Sequence, residues 1–171
     1  MRWLYVGLGI VAAAVFTLAG IGYSIQNAHV AQARADYSTP PREVFETLSD
    51  FEHWPDWHPG VTAMSRRDDA DGQPVWQMRG GAGSTTLVLL SSSPPERFVV
   101  RADGGMFVGR WTVTVEPRSG GSRVTVTEEA RIDNLVIRGL TVFQSKTASI
   151  EAMLRGLGAH FGEAVTPQPL T

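Results

Sequence analysis

Residues 50–60, DFEHWPDWHPG, place two His, two Asp and one Glu within eleven positions, and imidazole and carboxylate are ordinary ligands for zinc or manganese. The spacing opposes a metal centre. His53 and His58 stand five apart, whereas ligands sharing a helix face are three or four apart and those on one strand two apart. Pro55 lies between them and Pro59 follows, which breaks a continuous helix, and nothing nearby supplies a third and fourth ligand. The expectation is no metal and no cofactor.

Glu128 is the stronger polar candidate. It falls between Val126 and Ala130 in the alternation Val124, Val126, Ala130, Ile132, so a strand there carries it on the apolar face, where a carboxylate is costly unless partnered. It would anchor a ligand hydroxyl or act as an acid–base group of raised pKa. Alternatively a bulge in TEEA turns it outward and exchanges it with Glu129. Tyr37 is the second candidate for proton transfer, or else packs with a wet tip. Thr147 either lines the same space or bonds its own i−4 carbonyl. His160 sits near a helix end, where a cation is favoured and a capping role follows. Arg110 falls on the opposite phase from Trp111 and reads as an exterior charge. No nucleophile elbow, zinc-protease motif or phosphate-cradling loop is present, and GGAGS leads into a strand, as a hairpin turn does.

These residues need a scaffold. VAQARADY, residues 30–37, has the period-two alternation of a half-buried strand. STPPREVFETLSD then brings a Ser/Thr cap, a first-turn Pro and Val44, Phe45 and Leu48 at helical spacing. From residue 61 the turn compositions DDADG, GGAG, SSSPP, DGG and RSGG separate six strands, near 61–67, 74–79, 85–92, 96–102, 109–117 and 122–132, an antiparallel meander. Finally Leu140, Phe143, Thr147, Ile150, Leu154, Leu157 and Phe161 step by threes and fours, predicting one long amphipathic helix capped by Asn134. Gly156 and Gly158 within it suit a bend or a close approach. Residues 166–171, TPQPLT, are expected to fray.

The chain has 171 residues and 15 Lys and Arg against 17 Asp and Glu. With no like-charge run it lacks the footprint of a nucleic-acid binder. There is no Cys, which excludes disulfides and thiol chemistry. Residues 3–25, WLYVGLGIVAAAVFTLAGIGYSI, carry no charge and as a helix would span about 35 Å, enough to cross a bilayer. Trp3, Tyr5 and Tyr23 stand where interfacial rings belong. A cleaved signal peptide is the alternative, with ARA at 33–35 as its cleavage site. The division is an anchor over 1–27, a domain over 28–165 and a tail over 166–171. Arg2 favours a single-pass protein of a bacterial-type inner membrane with its domain on the outer side, Arg34 and Arg42 favour a cytoplasmic domain, and Gly9 and Ala13 form a small-residue pair that leaves the oligomeric state open.

The run STPPREVFETLSDFEHWPDWHPGV, with Pro41, Val44, Phe45, Asp50, Phe51, Trp54, Pro55, Trp57 and Pro59 in place, resembles the opening signature of the SRPBCC superfamily, in its polyketide cyclase/dehydrase-like branch. The resemblance covers residues 30–163. It implies an α+β helix-grip fold: a curved antiparallel sheet of about seven strands, two short helices and a long C-terminal helix, here behind one transmembrane helix. It also implies an apolar cavity between sheet and helix. Tyr37, Trp57, Met64, Trp76, Met78 and Phe98 would line it from one side; Trp111 and Val113, with Phe143, Thr147, Ile150 and Leu154 of the helix, would close it. Binding of a lipid, isoprenoid or polyketide-like molecule is the first function implied. A cyclase or dehydratase using the same cavity is the second, and a membrane accessory protein the third.

Overall fold

The computed structural model describes residues 2–81, 83–105, 107–141 and 145–170. The apolar N-terminal segment is helix α1, Arg2–Ser24, and strand β1, Ala28–Tyr37, follows after three residues. Helix α2, Pro41–Ser49, and a 3-10 helix, Phe51–Asp56, lead into six consecutive strands: β2, Val61–Ala70; β3, Gln73–Gly80; β4, Gly83–Ser93; β5, Arg97–Asp103; β6, Val108–Arg118; and β7, Gly121–Arg131. Helices α3, Leu135–Thr141, and α4, Ala148–His160, and a short strand β8, Gln168–Leu170, complete the chain. All strands form one antiparallel sheet in the order β2-β3-β4-β5-β6-β7-β1-β8.

Because side chains alternate across a strand, the register assigns every residue to a face. Phe98, Val113, Val126 and Ala33 are aligned across four strands, as are Val100, Trp111, Glu128 and Ala31, and then Ala102, Gly109, Ala130 and His29. This inner face receives α2, the 3-10 helix and α4. Val44, Phe45 and Leu48 of α2 are buried at the predicted helical spacing, and Ile150, Met153, Leu154 and Leu157 of α4 are buried beside them. At the corner, Phe51 stands edge-on to Trp54 and Phe98 and packs 4.7 Å from Trp76, centroid to centroid.

The C-terminal segment departs from the single long helix that its periodicity predicts. Asn134 does cap a helix, its Oδ1 accepting the backbone N–H groups of Val136 and Ile137 at 3.0 and 3.1 Å. That helix, α3, packs on α1, whereas α4 packs on the sheet. One straight helix cannot serve both partners, so the same apolar stripe is divided between two. Gly156 provides a close approach in α4: a Cβ there would lie 2.6 Å from the Trp57 carbonyl oxygen and 2.7 Å from Pro59.

Two smaller expectations change as well. Pro40, rather than Ser38 or Thr39, holds the N-cap place of α2. The Ser38 and Thr39 backbone N–H groups and the Thr39 hydroxyl instead donate to Glu163 at 2.6–3.0 Å. Residues 168–170 of the tail, expected to fray, pair with Gln32, Ala33 and Arg34 of β1, whose outer edge would otherwise expose unpaired backbone groups.

His58 lies against the Trp54 ring, with centroids 5.5 Å apart and planes 20° from parallel, and its Nδ1 accepts the Gly60 N–H. Burial pulls its pKa down to about 4 from 6.5. A folded pKa below the unfolded one means that the unfolded chain takes up the proton first, so stability is full above pH 6.5 and is lost as the pH falls toward 4. His58→Gln is expected to remove on the order of 2 kcal/mol of that acid loss, read from urea unfolding at pH 7 and pH 4.5.

Candidate functional site

The inner face is filled at one end. Tyr37, Phe98, Val113, Ile150 and Leu154 are each 4 % exposed or less and pack together in the core. The Tyr37 hydroxyl donates to the Leu154 carbonyl at 2.8 Å, tying β1 to α4, and burial together with the charge of Glu163 holds the phenol above its ordinary range. Its proton is committed to that bond. Trp57 is 8 % exposed and packs edge-on to Trp54 at 6.0 Å. Dense packing of this kind lets α4 grip the sheet.

Toward the start of β1 several large side chains are less deeply buried. Met64, Trp76, Met78, Phe107 and Trp111 pack against the core but are only partly buried. Small residues, Ala102, Gly109 and Ala130, stand buried in the aligned row between Leu87 and His29, beside the larger, partly exposed rings of Trp76 and Trp111. The Arg66 guanidinium lies 4.7 Å from the centroid of the Trp76 ring, a cation–π contact. Among the described residues, the buried indole nitrogens of Trp57 and Trp76 have no hydrogen-bond acceptor.

Glu128 keeps the inner phase, directly across from Trp111 on β6 and Ala31 on β1. Its carboxylate and the His29 ring approach to 3.9 Å, with the two side chains 16 % and 22 % exposed. Burial raises the Glu128 pKa, and the Trp111 indole offsets part of that rise. Burial, and secondarily the positive charge of Lys146, lowers that of His29. Both shifts are toward the neutral forms, and a carboxyl group beside an imidazole is a combination that can bond a ligand hydroxyl or carbonyl.

The remaining candidates have other occupations. Thr147 precedes α4 and its hydroxyl donates to Glu151 Oε1 at 2.7 Å. Phe143 lies outside the described residues. His53 is exposed and pairs with Asp50 at 2.8 Å, apart from the surroundings of His58. A shallow depression of about 350 Å³ on the opposite face of the sheet is bordered by Arg97, Arg110 and Glu129; Arg110 is therefore on the exterior, as its phase predicts. His29 is absent from the expected site because the alternation read from the sequence starts at Val30; the phase of Ala31, Ala33 and Ala35 extended back by two positions reaches it.

The family described as polyketide cyclase / dehydrase and lipid transport matches residues 28–162. No curated protein matches the chain. Among solved structures, the di-domain ARO/CYC StfQ from the steffimycin biosynthetic pathway superposes with a TM-score of 0.63 at 13 % identity, over 77 % of this chain and 50 % of StfQ. The chain thus spans half the length of that protein. A START superfamily protein from Mycobacterium smegmatis gives 0.61 at 14 % identity over 77 % and 96 % of the two chains. Norcoclaurine synthase from Thalictrum flavum gives 0.61 at 14 % over 80 % and 87 %. At such identities the likeness shows the helix-grip fold.

The Glu128 environment has a measurable consequence. A folded pKa above the unfolded one means stability that is complete at low pH and lost as the pH rises through the folded pKa. Glu128→Gln, which removes that titration, is expected to stabilise the protein at pH 8 relative to wild type and to have little effect at pH 4, read from urea unfolding at the two pH values. A group that costs stability where it stands is typical of binding sites.

Proposed function

The chain belongs to the polyketide cyclase / dehydrase and lipid transport family, and from that premise we propose that it binds a hydrophobic small molecule, a lipid, isoprenoid or polyketide-like compound, while held at a membrane by α1. The observation that carries this is the cluster of partly exposed large apolar side chains at one end of the inner face. Trp76, Met78, Phe107 and Trp111 are half-buried there, next to the small residues Ala102, Gly109 and Ala130, and the His29–Glu128 pair supplies polar contacts beside them. Binding sites for small molecules combine an apolar lining with a few polar groups in this way.

Support for the anchor comes from α1 itself. Residues Tyr5–Ser24 have a mean hydropathy of 2.0, and Leu8 and Phe16 are 67 % and 79 % exposed, an apolar surface suited to lipid. We place residues 1–27 as a single-pass anchor in a bacterial-type inner membrane and residues 28–165 as the binding domain on its outer side. A second function, a cyclase or dehydratase working in the same space, is favoured by one observation, the shared neutral bias of Glu128 and His29. StfQ, with its ARO/CYC description, has the same fold.

Native mass spectrometry and organic extraction of the gently purified full chain test the binding function. An apolar compound is expected to accompany the wild type. Met78→Glu, at a half-buried position of the same lining, is expected to reduce its amount at least about fivefold, equivalent to about 1 kcal/mol of binding, while the unfolding midpoint stays close to that of wild type. Equal retention by the variant would count against this location.

A further inference from the structure

The end of the sheet that carries the site is also the end from which α1 emerges. Only residues 25–27 separate α1 from β1, so Ala28 lies within about 14 Å of Ser24 even if the connection is fully extended. The connection is itself fastened: the Asn27 carbonyl accepts the Ile132 N–H at 2.8 Å, where β7 ends.

Helix α3 fixes the geometry further. A Cβ on Gly139 would stand 2.2 Å from the Leu18 carbonyl oxygen, and one on Gly22 would stand 1.9 Å from the Leu135 carbonyl oxygen. The two backbones approach so closely that glycine is required on each side, the kind of small-residue contact that lets helices pack without side chains between them. Arg138 Nε donates to the Gly22 carbonyl at 2.6 Å, supplying positive charge at the C-terminal end of α1, where the helix dipole is negative. Thus α1, α3 and the first residues of β1 are held together.

Exposed apolar residues mark the same place. Outside α1, the described large apolar side chains that stand exposed are Val30, Val108 and Leu135, at 66, 48 and 37 %. They belong to the starts of β1, β6 and α3, and Val108 pairs with Arg131, which pairs with Ala28. His29 and Glu128 lie in the first two inner rows from this rim.

We infer that the Val30–Val108–Leu135 rim rests on the bilayer through which α1 passes, and that the ligand is a membrane lipid entering laterally past α3 rather than from water. This inference rests on the anchored binding function proposed above. Its polar group would remain near headgroup depth beside His29 and Glu128, with its apolar part over Trp111 and Trp76.

The chain has no Cys, so single cysteines can be labelled cleanly in the full protein. Bimane is attached to Val30→Cys, Val108→Cys, Leu135→Cys and, at the opposite end of the sheet, Ser119→Cys, in vesicles of phosphatidylcholine and phosphatidylglycerol with brominated acyl chains. The three rim labels are expected to be quenched at least twofold more than the label at 119; equal quenching at all four positions overturns the inference. In a second arm, NBD-labelled phosphatidylcholine is offered either within vesicles or in water on cyclodextrin. Gly139→Leu, which forces α3 away from α1, is expected to slow loading from vesicles at least fivefold and to leave loading from cyclodextrin unchanged. Equal slowing by both routes, or none by either, overturns lateral entry. Failure of the wild type to load by either route counts against the binding function, and rim contact is then decided by quenching alone.

Discussion

The pairing of β1 with β7, unbroken from Ala28↔Arg131 to Tyr37↔Ser122, is the constraint on which the other features depend. It joins the first strand of the domain to the last strand of the meander, a long-range contact that the intervening hairpins do not require. It places His29 one step from Glu128 across the ladder, fastens the exit of α1 to the end of β7, and carries Tyr37 to α4. Without it the meander would leave a β7 edge open, and the polar pair would not exist.

Along this pairing the inner face changes character. Near Tyr37, side chains from α2, α4 and four strands meet with almost no exposure, and the buried hydroxyl of Tyr37 is satisfied by a backbone carbonyl. Near His29 the residues are alternately very large and very small, and two ionisable groups are held with their charged forms disfavoured. Burying such groups costs free energy, as does leaving Trp and Met side chains half exposed. The filled end provides stability, and the other end is where the proposed ligand would lie.

Much of this was legible in the sequence. The turn compositions located every strand of the meander to within a few residues, and the aromatic and Pro residues of DFEHWPDWHPG carried the family resemblance, with Trp54 now seen fully buried. The phase of Val124 and Val126 put Glu128 on the inner face. The break between α3 and α4 was not legible, because a heptad-like stripe records which residues are apolar without recording which surface each will meet; Leu157 meets the sheet while Gly139 meets α1. Nor could alternation show which part of the inner face is filled. Phe98 and Trp76 have the same sequence pattern, and only the arrangement of α2 and α4 makes one a core residue and leaves the other partly open. β8 has no signal in the sequence, because Gln168, Pro169 and Leu170 lack a strand pattern and are ordered by the edge they cover.

The central claim is that an apolar ligand lies against Trp76 and Trp111 on the inner face. Quenching by a fatty acid with a brominated chain tests it most directly, in a Trp3→Phe background that removes the indole of α1. Tryptophan fluorescence of this protein is expected to fall saturably with added ligand, and most of the fall is expected to vanish when Trp76 and Trp111 are both replaced by Phe. Quenching that persists undiminished in the doubly substituted protein would contradict the account.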